Sequence, residues 1–141
     1  MHQLTVSNTS VRILRIFLSG IFLVAGANHL LHVDQTVARM QQASLKNFAL
    51  YFGEPDWLVI LSGVVMLAAG LSLLAGFFTR WAALVLLLVL IPITITVQVG
   101  QMTTLGPLFK NVAIAGGLLF FILNDFTTQT NETIHSRTPA L

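Results

Sequence analysis

The chain runs from residue 57 to residue 79 without a charged side chain. A stretch of that length crosses a hydrocarbon layer of about 30 Å, which needs about 20 residues at about 1.5 Å each. A second uncharged run, 81–109, follows after Thr79-Arg80. It is too long for one straight crossing, and Gly100, Gly106 and Pro107 divide it. The pattern predicts spans over 57–78, 81–99 and 107–123. Pro107 suits the first turn of the last span, where its missing N–H has no intrahelical partner in any case, and Asn124 and Asp125 end it.

An earlier apolar run, 16–27, is short for a span, and Asn28, His29 and His32 follow it. Starting the helix at Val11 gives a span over 11–32, with Arg12 and Arg15 snorkelling to the headgroups. The same stretch has the three regions of a secretory signal peptide, Ala25-Gly26-Ala27 standing for its cleavage site. A retained first span is the expectation. Fifty-five per cent of the 141 residues are apolar and 9% charged, where a soluble domain carries about a quarter charged. A domain this small cannot bury that much apolar surface in its own core, so the excess must face lipid.

The expected fold is therefore an all-α membrane protein, an up-down bundle of four transmembrane helices occupying 11–125, between a polar segment 1–10 and a polar tail 126–141. Between the first two spans, Val37, Met40, Leu45, Phe48 and Phe52 recur at helical spacing among polar residues, which predicts a short interfacial helix. Tyr51, Trp57 and Trp81 fall at the expected membrane boundaries, where amphipathic rings are favoured. Four spans put both termini on one side. That side holds Arg12, Arg15, Arg80 and Arg137, against Arg39, Lys46 and Lys110 opposite, so the positive-inside rule favours cytoplasmic termini by one charge.

Small residues mark where helices approach each other in lipid. Ala68, Ser72 and Gly76 form one stripe on the second span, with Gly63, Ala69 and Gly70 nearby, and Ala113, Gly116 and Gly117 repeat the pattern on the fourth. Pro92 leaves the carbonyl of Leu88 without its donor and is expected to kink the third span, with Thr94 or Thr96 relieving the loosened backbone.

The net charge of +2 comes from basic residues scattered singly along the chain, which gives no nucleic-acid footprint. Without cysteine there is no disulfide, thiol redox centre or Cys-ligated cluster. No Gly-rich phosphate loop, nucleophile elbow, HExxH or paired carboxylates appear, so a self-contained catalytic centre is not expected.

Alternating helices bring the polar ends of the spans to one membrane face. Asn28, His29 and His32 lie at the end of the first span, Gln98 at the end of the third, and Lys110 with Asn111 at the start of the fourth. Such a cluster beside an apolar cleft suits a ligand with a polar head and a hydrocarbon tail, a quinone or a lipid. A histidine supplies or takes a proton near neutrality, and Lys110 stabilises developing negative charge. The competing reading is that polar residues near helix ends snorkel, cap or meet water. Two histidines without a nearby carboxylate make a poor metal site, so no metal is expected. Arg15, about 21 Å from His29 along the helix, anchors the opposite interface.

The segments RILRIFLSGIFLVAGANHLLH, GLSLLAGFFTRWAALVLLLVLIPITITV and GPLFKNVAIAGGLLFFI together resemble the DoxX family of small four-helix membrane proteins. The resemblance covers most of the chain. Its most specific part is the glycine-rich second span running into Gly76-Phe77-Phe78-Thr79-Arg80 and the Ala-rich third, followed by Lys110-Asn111 and Gly116-Gly117. It implies a prokaryotic inner-membrane protein; the family takes its name from a subunit of thiosulfate:quinone oxidoreductase, and other members are linked to oxidative-stress complexes. Two positions depart from the family pattern: no acidic residue occurs among residues 62–70, and Gln98 stands where a histidine is common. The resemblance thus implies an accessory or anchor subunit of a redox complex that binds quinone or lipid, or else a scaffold with no ligand. The expected partners are the bilayer, a membrane or peripheral redox protein, and a second copy of the chain.

Overall fold

A computed structural model of the chain describes residues 6–43, 45–47, 51, 53–99 and 105–124. Phe48, Phe52, Gly100, Asp125 and the tail 126–141 lie outside them, as do residues 1–5. Among the described residues five helices are defined: α1 (Asn8–Leu31), α2 (Val33–Gln42), α3 (Pro55–Ala75), α4 (Thr79–Gln98) and α5 (Leu105–Leu123). α1, α3, α4 and α5 are long and apolar enough to cross a membrane.

The helix ends follow local chemistry more closely than hydropathy does. α1 begins at Asn8, before the expected Val11, because the Ser7 side chain accepts a hydrogen bond from the Thr9 N–H and caps the first turn. α3 stops at Ala75 and not at residue 78. Gly76 takes a left-handed φ of 81°, its N–H reaches the carbonyls of Ser72 and Leu73, and the Phe77 N–H returns to Ser72. That pairing is a Schellman stop, and it closes two carbonyls the helix end would leave open. α5 begins at Leu105, which keeps Pro107 within the first turn.

α1 and α3 run antiparallel in close contact. Positions fall along α1 from Gly26 through Leu23 to Arg15 while their neighbours on α3 rise from Gly63 through Gly70 to Gly76. At Gly26 a Cβ would stand 2.9 Å from the Gly63 carbonyl oxygen, and at Gly63 it would stand 2.9 Å from the Leu30 side chain. The backbones approach there because neither residue carries a side chain. α4 and α5 form a second pair, and the α3–α4 seam joins the two pairs.

The core lies where all four spans meet: Leu18 and Phe22 of α1, Met66, Ala69 and Leu73 of α3, Ala83, Leu86 and Leu90 of α4, and Ile114, Leu118 and Phe121 of α5. Large apolar side chains on the outside, such as Phe17, Val24, Leu61, Leu88 and Phe109, are exposed. An outer surface of this kind is stable against hydrocarbon and not against water.

The packing face of α3 is offset from the expected stripe. Gly63 and Gly70 are buried in contact with α1, whereas Ala68 points outward and Ser72 donates to the Phe77 carbonyl at 2.6 Å. On α5, Gly117 meets Leu18, while Ala113 and Gly116 face outward. Spacing along one helix marks every smooth face it has, and only the position of the neighbouring helix decides which is used. Pro92 lies inside α4, as expected. Thr94 returns its hydroxyl to the Leu90 carbonyl at 2.7 Å, so it serves a different carbonyl from the one Pro92 releases at Leu88.

α2 is the short helix between the first two spans, separated from α1 by His32 alone. Val37 and Met40 are buried and Leu45 is exposed. Tyr51, Trp57 and Trp81 all stand outward at helix ends or in connections.

Candidate functional site

A cavity of about 400 Å³ lies where the end of α1, α2, the first half of α3 and the second half of α4 converge. Its polar boundary consists of Asn28 and His29 from α1, Thr36 and Arg39 from α2, Ser62 from α3 and Thr96 from α4. The rest is apolar: Leu58, Val59, Leu61 and Val65 on one side, Leu88, Val89, Pro92 and Ile93 on the other. Leu61 and Leu88, 60% and 61% exposed, put the apolar end of the cavity against the lipid phase.

His29 sits three residues beyond Gly26 on α1, and Ser62 immediately precedes Gly63 on α3. The glycine contact therefore carries His29 and Ser62 together, and Nδ1 of the imidazole lies 2.9 Å from the Ser62 hydroxyl oxygen. Ser62 in turn donates to the Val59 carbonyl at 2.9 Å. The imidazole is thus fixed on one side by a hydrogen-bonded chain that ends in backbone. Across the cavity stand Leu88 and Pro92, and Pro92 has no N–H to give the Leu88 carbonyl.

Of the six residues expected to gather, only Asn28 and His29 border this cavity. His32 is exposed at the junction of α1 and α2, its N–H closing on the Asn28 carbonyl. Gln98 is half-buried at the last position of α4, and Lys110 is exposed on α5. Asn111 is buried, and its side-chain amide donates to the Thr94 hydroxyl at 2.8 Å. That bond ties α5 to α4 and serves the fold. The helix-end reasoning gathered residues by depth in the membrane, but rotation about each helix axis decides whether a side chain turns inward. Thr36, Arg39, Ser62 and Thr96 are not among the candidates, Thr96 being expected only to relieve the backbone near Pro92. Ser62 carried one available signal, a hydroxyl that, with that of Ser72, interrupts an apolar span.

Below the cavity an open apolar groove continues along the α3–α4 seam, walled by Ala68, Ala69 and Ser72 on α3 and by Trp81, Ala82 and Val85 on α4. Val65 borders both spaces, so cavity and groove adjoin at that residue. No group of three or more His, Asp or Glu side chains that could hold a metal ion occurs among the described residues.

The sequence profile of the DoxX family matches residues 10–99. The chain belongs to the DoxX family. The matched segment takes in α1 through α4, and so every residue bordering the cavity of this DoxX protein. No curated protein and no solved structure matches the chain.

Proposed function

We propose that this DoxX protein binds a long-chain amphiphile of the quinone class beside His29 and serves as the membrane subunit of a redox complex in a prokaryotic cytoplasmic membrane. The observation that carries this reading is the cavity itself. It has hydrogen-bonding groups at one end, apolar walls, and an edge at Leu61 and Leu88 in the lipid phase. A polar head would lie among Asn28, His29 and Arg39, and a hydrocarbon tail would pass Val65 into the α3–α4 groove. The walls match the usual make-up of small-molecule sites, largely apolar with a few convergent polar groups.

The chain has no cysteine and no nucleotide-binding motif, so electrons would be exchanged with a partner protein. With cytoplasmic termini, as the positive-inside rule favours, the cavity would open in the non-cytoplasmic half of the bilayer. A second reading, a scaffold without a ligand, is favoured by the outward-facing Ala113 and Gly116 of α5, which leave room for a helix of another protein.

Mass spectrometry of the protein released gently from its native membrane tests both. Retained quinone together with a redox protein is the expected result. A protein partner with no quinone would favour the scaffold, and saturable binding absent with added decylubiquinone and with its quinol alike would overturn the quinone reading.

A further inference from the structure

Ser62 controls more than the position of His29. Its hydroxyl has a single hydrogen, and that hydrogen is donated to the Val59 carbonyl. With its hydrogen so placed, the oxygen accepts in its contact with His29; the Val59 carbonyl, which can only accept, is a second hydrogen-bond partner of His29, and together the two acceptors assign the ring's hydrogen to Nδ1. A neutral imidazole has one N–H. Nε2 is left with a lone pair, and it is the remaining polar atom of a ring that borders the cavity.

We infer that Ser62 and the Val59 carbonyl it bonds, by fixing this tautomer of His29, make the cavity select amphiphiles whose head donates a hydroxyl hydrogen, a quinol over the corresponding quinone. The inference rests on the amphiphile-binding reading above. A head hydroxyl gives its hydrogen to Nε2. A head bearing only carbonyl or ether oxygens sets lone pair against lone pair, and in surroundings poor in water an unsatisfied acceptor is costly. Among the described residues Arg39, on α2, is the only charged side chain bordering the cavity, and neither α3 nor α4 contributes a titratable one. Arg39 and the Asn28 amide are donors that serve the oxygen lone pairs of either kind of head. Discrimination therefore falls to His29, and Ser62 is a positioning residue that, with the Val59 carbonyl, sets its sign.

The test uses the full chain in phosphatidylcholine nanodiscs and two redox-inert probes, para-dodecylphenol and its methyl ether, para-dodecylanisole. Equilibrium partition between protein-loaded and empty nanodiscs removes their common affinity for lipid. At a pH about two units above the usual imidazole value of about 6.5, the phenol should be retained about fivefold more tightly than the ether, a gap of the size of one hydrogen bond. Ser62→Ala, which leaves only the Val59 carbonyl to hold the tautomer, should lower that ratio, and Ser62→Thr, which keeps a hydroxyl able to bond the same carbonyl, should preserve it. Nitrogen-15 spectra of His29 in the unmutated protein should show Nδ1 protonated and Nε2 bare.

A hydrogen on Nε2 in those spectra, or equal retention of the two probes, would overturn the inference and leave the binding site standing. A preference unchanged in Ser62→Ala would assign the selectivity to shape and overturn it as well. Retention of neither probe, nor of dodecylbenzoquinone, would remove the amphiphile-binding reading itself.

Discussion

His29 and Ser62 meet across the α1–α3 crossing, Nδ1 to Oγ at 2.9 Å, next to the place where Gly26 and Gly63 bring the two backbones together. The polar contact depends on the glycine contact, because a side chain at either glycine would hold the helices apart. The stability of the bundle and the geometry of the cavity are therefore set at one crossing.

Gly26→Ala should destabilise the protein by about 1–3 kcal/mol, the usual cost of overpacking. The added Cβ would stand 2.9 Å from the Gly63 oxygen and 3.0 Å from Leu67, and the backbone atom cannot give way as a side-chain tip can. Gly116→Ala, with nothing within 4 Å, should change stability by no more than about 0.5 kcal/mol. Unfolding in mixed detergent micelles measures both. Equal effects at the two positions would contradict the assigned packing face.

Gly76→Ala should destabilise for two separable reasons. An L-residue at a φ of 81° costs about 1–2 kcal/mol, and the new Cβ would collide with the guanidinium of Arg15. Combining it with Arg15→Ala should remove the collision and keep the backbone strain. The double variant is thus expected to be less destabilised than the two single changes added together, as read from a double-mutant cycle by thermal unfolding.

Asn111 and Thr94 should couple by about 0.6 kcal/mol, the average found for hydrogen bonds between membrane helices. The variants Asn111→Leu and Thr94→Val, alone and together, give the value. Because Asn111 lies away from the cavity, retention of para-dodecylphenol should stay within about twofold in Thr94→Val, a change below about 0.5 kcal/mol. A large loss of binding in that variant would place α5 in the site.

His29→Ala should weaken retention of para-dodecylphenol about fivefold, the worth of one hydrogen bond. His32→Ala should leave it unchanged, since His32 is exposed and does not border the cavity. Val65→Phe, at the junction of cavity and groove, should exclude the dodecyl probe while leaving para-cresol, which has no chain to thread, retained as before. Equilibrium partition in nanodiscs reads all three.

Membrane insertion, the number of spans and the interfacial helix were legible in the sequence, because each rests on properties summed over many residues. A run without charge long enough to span hydrocarbon has few other fates, and Val37 and Met40 mark a buried face on α2 by spacing alone. Individual helix ends were less legible. The stop at Gly76 and the start at Asn8, capped by Ser7, depend on a few hydrogen bonds that hydropathy does not register.

The candidate site divides in the same way. Asn28 and His29 were visible as polar residues at the end of an apolar run, and so were His32, Gln98, Lys110 and Asn111, which the fold sends elsewhere. Depth in the membrane follows from position in the sequence, since each residue advances a helix by a fixed rise. Facing does not: it depends on how each helix is rotated against its neighbours, which close packing at Gly26 and Gly63 decides. Sequence alone thus determined that polar groups stand at one face of a four-helix membrane bundle. Only the tertiary structure decided that Ser62 meets His29, that Asn111 is used to join α4 and α5, and that the cavity opens between α3 and α4.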